Sequence, residues 1–360
     1  MTRFGGYAVF GAIMAALACA HSASAQSAPT AEMKALAAAA DKEGTILLTW
    51  SSDSLGGAEG AQKFEAAINQ AYGTHLQVSW TPGPAMPNVG NQIAMAHSNG
   101  LPSPTDVYLG FSRDMASLLK YDLFQSAPWQ AYLPDRLTDA VVDRGIFIKV
   151  QSATLGFSYN KKLAPFEPKS LDDFLKPEWA GKISTTSFGA GWDQIAASDA
   201  WGPDKAIAFA QKFAKQVAGF MRCGETERLS TGEFLAMATD CSDGPTGMAI
   251  KRGAPLGRAI EPTVPLISYF YLAVPKNAVH PNAGKLFAAF SATVAGQKII
   301  RDEDTTDLHL FPESAEGVLV AKVEKESGTK FKSADIDWQI ANTAGNEAQK
   351  KIADIIQHSK

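Results

Sequence analysis

The sequence predicts an α/β protein, and three observations lead to that prediction. Apolar strand-like runs alternate with helix-like stretches along most of the 360 residues. The first run, residues 45–50 (TILLTW), is of the kind found in strands buried in a parallel sheet. Finally, 46% of the residues are hydrophobic and 19% are charged, which suits one large or two medium well-packed domains.

The elements alternate in order from the first strand. Residues 30–42 read as a helix that ends at Gly44, and the strand at 45–50 runs into a small polar loop. Residues 58–72 then form a helix with one apolar face. Further strands are predicted at 76–80, 105–109, 146–150, 155–159 and 269–274, and further helices around 93–98, 115–120, 281–300 and 347–357. Because the sequence contains no low-complexity linker, we expect its domains to be joined by strands and not by a flexible tether.

The N-terminus has the features of a secretory signal peptide. Arg3 supplies a positive charge, residues 4–20 are small or apolar, and Ala23-Ser24-Ala25 forms a cleavage site. We therefore expect residues 1–25 to be removed and the protein to act in the periplasm. A short membrane anchor is the alternative, and Cys19 lies in a poor match to a lipidation site.

Two cysteines, Cys223 and Cys241, remain after the signal peptide is removed. In an oxidising compartment such a pair is expected to form a disulfide, worth roughly 3 kcal/mol on the chain-entropy model. Two buried thiols are the alternative. This pair alone does not make a metal site, because no histidine or further cysteine lies at ligand spacing.

Charge and motifs exclude some functions. The net charge is -4, without the basic block that a nucleic-acid-binding surface needs. The sequence contains neither G-x-S-x-G nor H-E-x-x-H, and its histidines are scattered, so we do not expect an enzyme or a metal cofactor. A secreted hydrolase whose triad assembles only in three dimensions is a distant alternative.

Four segments in collinear order resemble one protein family. Residues 155–183 (LGFSYNKKLAPFEPKSLDDFLKPEWAGKI) hold YN, P-x-S-x-x-D and P-x-W-x-G-K-I at the family's mutual distances. Residues 269–300 (YFYLAVPKNAVHPNAGKLFAAFSATVAGQKII) match a second segment, and 45–73 and 106–124 match two more. The chain thus resembles the periplasmic solute-binding proteins of ABC importers, of the type II group that takes iron, polyamines, thiamine and organic anions.

The resemblance implies two α/β lobes with mixed β-sheets and a hinge of two β crossovers, near residues 152–155 and 261–268. A small solute would bind between the lobes, and the closed, monomeric receptor would deliver it to the transmembrane permease of an ABC importer. The expected divisions are residues 30–151 plus 269–301 for the first lobe, 153–262 for the second, and 302–360 for C-terminal helices bracing both.

Ligands of open α/β sheets bind where strands end, so the strand-end loops supply the candidate binding residues. Hydroxyl groups, glycine and exposed backbone N–H groups there suit an organic anion or a zwitterion. Aromatic side chains would form another wall, and an arginine would clamp a carboxylate. The candidates are Ser51, Ser52, Asp53, Gly110, Phe111, Ser112, Thr185, Thr186, Ser187, Trp192, Asp193, Arg222 and Tyr269. Helix caps, core aromatics and a surface ion pair are the structural alternatives.

Ferric iron and a polyamine are the alternative solutes. The ferric-binding members of the family use adjacent tyrosines, which this chain lacks, and Tyr269 and Tyr271 lie in a predicted hinge strand. A polyamine would require several carboxylates with aromatics, for which Asp53 and Asp193 are available.

Overall fold

The computed structural model describes residues 1–2, 28–51, 54–240 and 243–358. The strands are β1 (Thr45–Ser51), β2 (Gln77–Gly83), β3 (Tyr108–Phe111), β4 (Val142–Asp143), β5 (Phe147–Thr154), β6 (Gly156–Asn160), β7 (Ile183–Thr185), β8 (Val217–Phe220), β9 (Ala236–Asp240), β10 (Leu256–Ile260), β11 (Leu266–Ala273) and β12 (Lys332–Ser333). The predicted signal peptide lies outside the described residues, apart from Met1 and Thr2.

The helices alternate with these strands. They are α1 (Ala31–Glu43), α2 (Gly57–Tyr72), α3 (Met86–Ser98), α4 (Ser112–Leu118), α5 (Trp129–Tyr132), α6 (Trp192–Ile195), α7 (Pro203–Phe213), α8 (Thr226–Ser230), α9 (Asp243–Lys251), α10 (Pro281–Ser291), α11 (Val294–Asp304), α12 (Ala315–Ser327), α13 (Ile336–Ala341) and α14 (Thr343–Gln357). None of the helices in the described part of the chain is long and apolar enough to cross a membrane.

The predicted helix after Pro281 is divided into α10 and α11. Thr293 begins the second helix, since its hydroxyl accepts a hydrogen bond from the backbone N–H of Gly296 at 3.0 Å. A Cβ atom at Gly296 would lie only 2.2 Å from the carbonyl oxygen of Phe290, so glycine allows the two helices to meet closely. The local cap overrides the continuous apolar periodicity.

The sheets are mixed, as predicted. One has the strand order β12-β11-β5-β4, with β3 also paired to β11, and a second has the order β10-β6-β9-β7-β8. In the second sheet β7 runs parallel to β8 and β9, whereas β6 is antiparallel to β9 and β10. Strands β1 and β2 form a separate parallel pair.

The chain crosses between the two larger sheets at short segments. Strand β5 lies in the first sheet, and β6 begins in the second sheet after a single intervening residue, Leu155. The chain returns between Ile260 at the end of β10 and Leu266 at the start of β11. A third crossing follows β12, because α13 packs on α4 whereas α14 packs on α6 and α7. The first two coincide with the predicted β crossovers.

The two larger sheets belong to separate hydrophobic cores, and β9 and β10 also contribute to a smaller third cluster. The first core contains residues between Met33 and Val150 together with residues between Ile267 and Ile336. In it, the indole of Trp50 packs edge-on against the ring of Phe287, with centroids 5.7 Å apart. The second core contains residues from Leu155 to Leu266 and is completed by Ala334 and by α14.

A buried polar cluster lies where β5 and β11 pair near the crossings. The hydroxyl of Ser152 lies 2.7 Å from Nδ1 of His309, and the Tyr269 ring stacks on the same imidazole with centroids 5.9 Å apart. The ammonium of Lys149 lies over the same tyrosine ring, 4.7 Å from its centroid. Burial, reinforced by the positive charge of Lys149, lowers the pKa of His309 to about 4.

Acid is therefore expected to destabilise the fold through His309. The imidazole pKa is 6.5 in the unfolded chain and about 4 in the folded one, so between these values the unfolded state binds more protons. The contribution is fully present above pH 6.5, and about 3 kcal/mol of unfolding free energy is lost as pH falls to 4. Urea unfolding at several pH values should show a flatter dependence for His309→Gln. The exposed His358→Gln is the control, and an unchanged slope for His309→Gln would contradict this role.

Candidate functional site

A cavity of about 960 Å³ lies between the two cores. Residues at the end of β1, the start of α3, the β3–α4 junction and the end of α11 line it from the first core. Residues of α6, α8 and α9 line it from the opposite side. Its volume lies in the range typical of sites for small organic molecules, and it far exceeds what a single metal ion needs.

One wall of the cavity is apolar. The rings of Phe111 and Phe270 meet edge to face with centroids 5.1 Å apart, because β3 and β11 pair at these two residues. Met86 continues this wall, and Met248 of α9 faces the cavity from the other side. This wall can cover the apolar part of a solute.

Arg113 and Asp114 follow Phe111 in the first turn of α4. The Asp114 carboxylate accepts a hydrogen bond from the backbone N–H of Phe111 at 3.1 Å, which caps the helix. Burial raises the pKa of Asp114, and the adjacent Arg113 opposes that shift. The Arg113 side chain is 42% exposed, and its guanidinium lies 5.6 Å from the centroid of the Phe111 ring.

Asp193 and Gln194 face the cavity from the other core. They belong to the short helix α6 and are only 2% and 6% exposed. Asp193 Oδ1 and Gln194 Oε1 are buried and have no hydrogen-bond partner among the described residues. Burial raises the pKa of Asp193, whereas the positive charge of Arg113, from the opposite side, is the leading influence that lowers it.

The ionisable groups that line the cavity are mostly acidic. Six carboxyl groups and two guanidinium groups belong to its described lining. Several of the acids have partners: Glu303 pairs with Lys63 at 2.6 Å, and Asp304 accepts a hydrogen bond from Gln151 at 2.7 Å. Even with Glu303 paired to Lys63, carboxyl groups outnumber cationic groups in the described lining, so a positively charged group of a solute would complement it.

The C-terminal end of α11 contacts α9 at the rim of the cavity. The ammonium of Lys251 donates to the carbonyl oxygen of Asp302 at 2.8 Å. A Cβ atom at Gly244 would lie 2.0 Å from Asp304 Oδ1, and one at Gly247 would lie 1.9 Å from the hydroxyl oxygen of Thr305. Glycine at both positions is what lets elements of the two cores approach this closely.

The structure brings part of the predicted set of binding residues together. Ser51, Phe111 and Asp193 line the cavity, and so does Cys223. Ser52, Asp53 and Cys241 lie outside the described residues, so the disulfide stays a prediction. The predicted residues that are not part of the cavity lining are Gly110, Ser112, Thr185, Thr186, Ser187, Trp192, Arg222 and Tyr269.

Most of the predicted residues away from the cavity have a structural role. Ser112 Oγ donates to the carbonyl oxygen of Tyr269 at 3.2 Å and accepts from the N–H of Tyr269 at 3.0 Å, which ties α4 to β11. Thr186 Oγ1 accepts from the N–H of Ala190 at 2.8 Å. Trp192 is fully buried in the second core.

Sequence reasoning missed several lining residues. Arg113 and Asp114 directly follow the predicted loop 110–112, and Gln194 directly follows Asp193. Extending each strand-end loop into the first helical turn would have found them, because those residues face the same end of the sheet. Residues of α8 and α9 had no comparable signal, since they do not follow a predicted strand.

Comparisons with known structures identify the fold. The substrate-binding protein of an ABC transporter from Agrobacterium tumefaciens superposes with a TM-score of 0.69 at 14% identity, over 88% of this chain and 94% of that one. The periplasmic binding protein AfuA from Actinobacillus pleuropneumoniae, with fructose-6-phosphate bound, gives a TM-score of 0.67 at 17% identity, over 87% and 99% of the two chains. This chain has the periplasmic-binding-protein fold. Iron-bound HitA from Pseudomonas aeruginosa is a further similar structure, at 19% identity and a TM-score of 0.61, over 86% and 99%.

No protein-family model and no curated protein matches the sequence. The fold predicted from the sequence resemblance is nevertheless confirmed by these superpositions. In the periplasmic-binding-protein fold the two cores are the two lobes, and the cavity is the cleft between them. We refer below to the part built around the first core as the first lobe and to the other as the second lobe.

The described lining of the cleft lacks the tyrosine side chains expected of a ferric site. Among its described lining residues there is no tyrosine and no histidine. Within the described part of the chain, no group of three or more histidine, cysteine, aspartate or glutamate side chains is arranged to hold a metal ion. Tyr271, which the iron alternative considered, is fully buried and donates to Asp143 at 2.6 Å.

Proposed function

We propose that the protein is a periplasmic receptor that binds a small polar solute between its lobes and delivers it to an ABC importer. The main support is the cleft of about 960 Å³, whose lining comes from both lobes of a periplasmic-binding-protein fold. Solute that contacts both lobes favours the closed arrangement, because only that arrangement makes both sets of contacts.

The other parts of this proposal follow from the same fold. The closed receptor, acting as a monomer in the periplasm after signal-peptide removal, would dock on a membrane permease. We do not assign it a reaction, since the neighbours in the structural comparison are binding proteins. The predicted disulfide between Cys223 and Cys241 would then stabilise the second lobe at the rim of the cleft.

The solute class follows from the chemistry of the cleft. The sequence led us to expect an organic anion or a zwitterion, and Arg113 and Arg252 are the cleft residues that would bind an anionic group. The excess of carboxyl groups favours a zwitterion or a cation over a simple anion. Ferric iron, the cargo named for HitA, receives no support from a cleft lining without tyrosine.

Binding should be measured first by native mass spectrometry of the purified protein and by thermal shift with glutamate, citrate, spermidine and ferric citrate. We expect at least one solute to bind at a 1:1 ratio and Ala85→Trp to weaken it by roughly tenfold or more, because Ala85 lines the cleft. Ala31→Trp is the matched control, since Ala31 also begins a helix and is exposed but lies outside the cleft lining. Equal effects of the two variants would contradict binding between the lobes.

A further inference from the structure

Two buried acceptor atoms of the cleft residues Asp193 and Gln194 make no well-formed hydrogen bond within the described part of the chain. Asp193 Oδ1 and Gln194 Oε1 belong to adjacent residues of α6, each more than nine-tenths buried, and both residues line the cleft. Buried polar atoms in folded proteins almost always have a hydrogen-bond partner, and an orphaned pair at a binding cleft is a place where a ligand supplies it. Both atoms are oxygens, so the missing group is a hydrogen-bond donor.

The backbone holds these two side chains at the cleft. Gly191 precedes α6 with a φ of 76°, and a Cβ atom there would lie 2.3 Å from Leu155 Cδ1, so the turn requires glycine. The side-chain amide of Asn342 donates to the carbonyl oxygen of Asp193 at 3.0 Å. The main chain of Asp193 is thus held by a residue from the C-terminal part of the chain, at the wall of the cleft.

Within the protein, the side-chain amide of Gln339 competes with a ligand as the hydrogen-bond donor to these oxygens. The backbone N–H groups of Asp193 and Gln194 and the Gln339 side chain lie beside the Asp193 carboxyl and lower the pKa of that group, but Gln339 Nε2 is buried and has no hydrogen-bond partner among the described residues. Gln339 is not part of the cleft lining. One amide could serve one of the two oxygens from behind, and the other oxygen would still require a donor from the cleft side.

Charge and shape indicate what kind of donor fits. The acidic excess of the cleft lining favours a cation, and the positive charge that acts on Asp193 comes from Arg113 on the other lobe. In the same cleft lining, the Phe111 and Phe270 rings offer an apolar surface that suits a carbon skeleton or a cation–π contact. A protonated amine satisfies both acceptors, whereas a quaternary ammonium has no N–H to donate.

We propose that Asp193 and Gln194 bind the protonated nitrogen of an organic amine whose apolar part lies against Phe111 and Phe270. This inference rests on the proposed receptor function and deepens it by assigning the group of the solute that the second lobe recognises. Asp193 supplies the opposite charge and one acceptor, and Gln194 supplies a second, neutral acceptor. Together they select N–H donors over carboxylates and over fully alkylated nitrogen.

The test uses three probes with the same ring and a different head group: 2-phenylethylamine, its N,N,N-trimethyl derivative and 3-phenylpropionate. Thermal shift and titration calorimetry with the full protein should show binding of the primary amine, at least tenfold weaker binding of the trimethyl derivative and none of the carboxylate. Asp193→Asn and Gln194→Met should each weaken amine binding by tenfold or more. Asp172→Asn, which alters an exposed carboxylate of the same lobe outside the cleft, should leave it unchanged.

The melting temperatures of the variants distinguish a loss of amine binding from a loss of structure. Because burial disfavours the charged form of Asp193, Asp193→Asn should keep or raise the melting temperature of the protein without probe. A lower melting temperature together with unchanged amine affinity would show that Gln339 satisfies the carboxylate and would overturn the proposal. So would binding of 3-phenylpropionate as tight as that of the amine, or no response to the amine. If other solutes still bind between the lobes, the receptor function stands and only the amine site falls.

Discussion

Replacing Gly247 by alanine is expected to weaken solute binding by roughly tenfold or more while both lobes remain folded. Gly247 belongs to α9 of the second lobe, and a Cβ atom there would lie 1.9 Å from Thr305 Oγ1 and 2.8 Å from Thr305 Cβ of the first lobe. Rotating the hydroxyl cannot remove the second clash, so the lobes must move apart. Alanine also favours helix over glycine, so α9 itself is not weakened.

The measurement is titration calorimetry of the bound solute together with small-angle X-ray scattering, which should show a larger radius of gyration for Gly247→Ala. Thr305→Gly provides the matched rescue, because it removes the clashing atoms and its φ of 57° is one that glycine adopts readily. The double variant should recover most of the affinity. Wild-type affinity in Gly247→Ala would show that contact between α9 and α11 is not needed for binding.

Trp192→Ala is expected to lower the free energy of unfolding by about 3–5 kcal/mol. The indole is fully buried in the second core, and its centroid lies 5.8 Å from that of Phe213 and 6.1 Å from that of Phe209. Removing it leaves a large cavity that rigid neighbours cannot fill. Urea or guanidinium unfolding measures this change directly.

Two variants distinguish this core role from the ligand contact that the sequence suggested for Trp192. Trp192→Phe should retain most of the stability, because the indole Nε1 has no hydrogen-bond partner among the residues that the structure describes. Phe111→Ala, which alters the cleft wall, should instead reduce solute affinity with a smaller loss of stability. Stability equal to that of the wild type in Trp192→Ala would contradict the core assignment.

The fold could be predicted because its signals are local and redundant. The apolar run at 45–50 becomes β1, and the segment that begins at Pro281 becomes α10, whose apolar face is buried. Single elements of this kind depend on periodicity and caps, which a sequence displays. The break at Thr293 was missed because the apolar pattern continues across a cap that depends on one hydroxyl.

The site could be predicted only in part, because position at a strand end does not tell which way a side chain points. Phe111 and Trp192 follow the same rule in sequence, yet the first lines the cleft and the second is core. The sequence predicts that Tyr269 contributes to an aromatic wall, but its register opposite Ser152 directs it to a buried cluster with His309. The contribution of α9 depends on contacts between residues some sixty positions apart, such as Gly244 and Thr305, which no local pattern records.

The packing of α14 in the second core affects when the lobes can finish folding during synthesis. The second core draws Ala348, Ile352 and Ile356 from this helix, which emerges from the ribosome after residue 342. The first core likewise needs α10, far downstream of α1, which it contacts. Neither lobe can therefore complete its interior while much of the chain is still being made. Contacts between residues far apart in sequence slow folding. The nascent chain therefore remains incompletely folded for longer than a chain whose domains are each formed by consecutive residues.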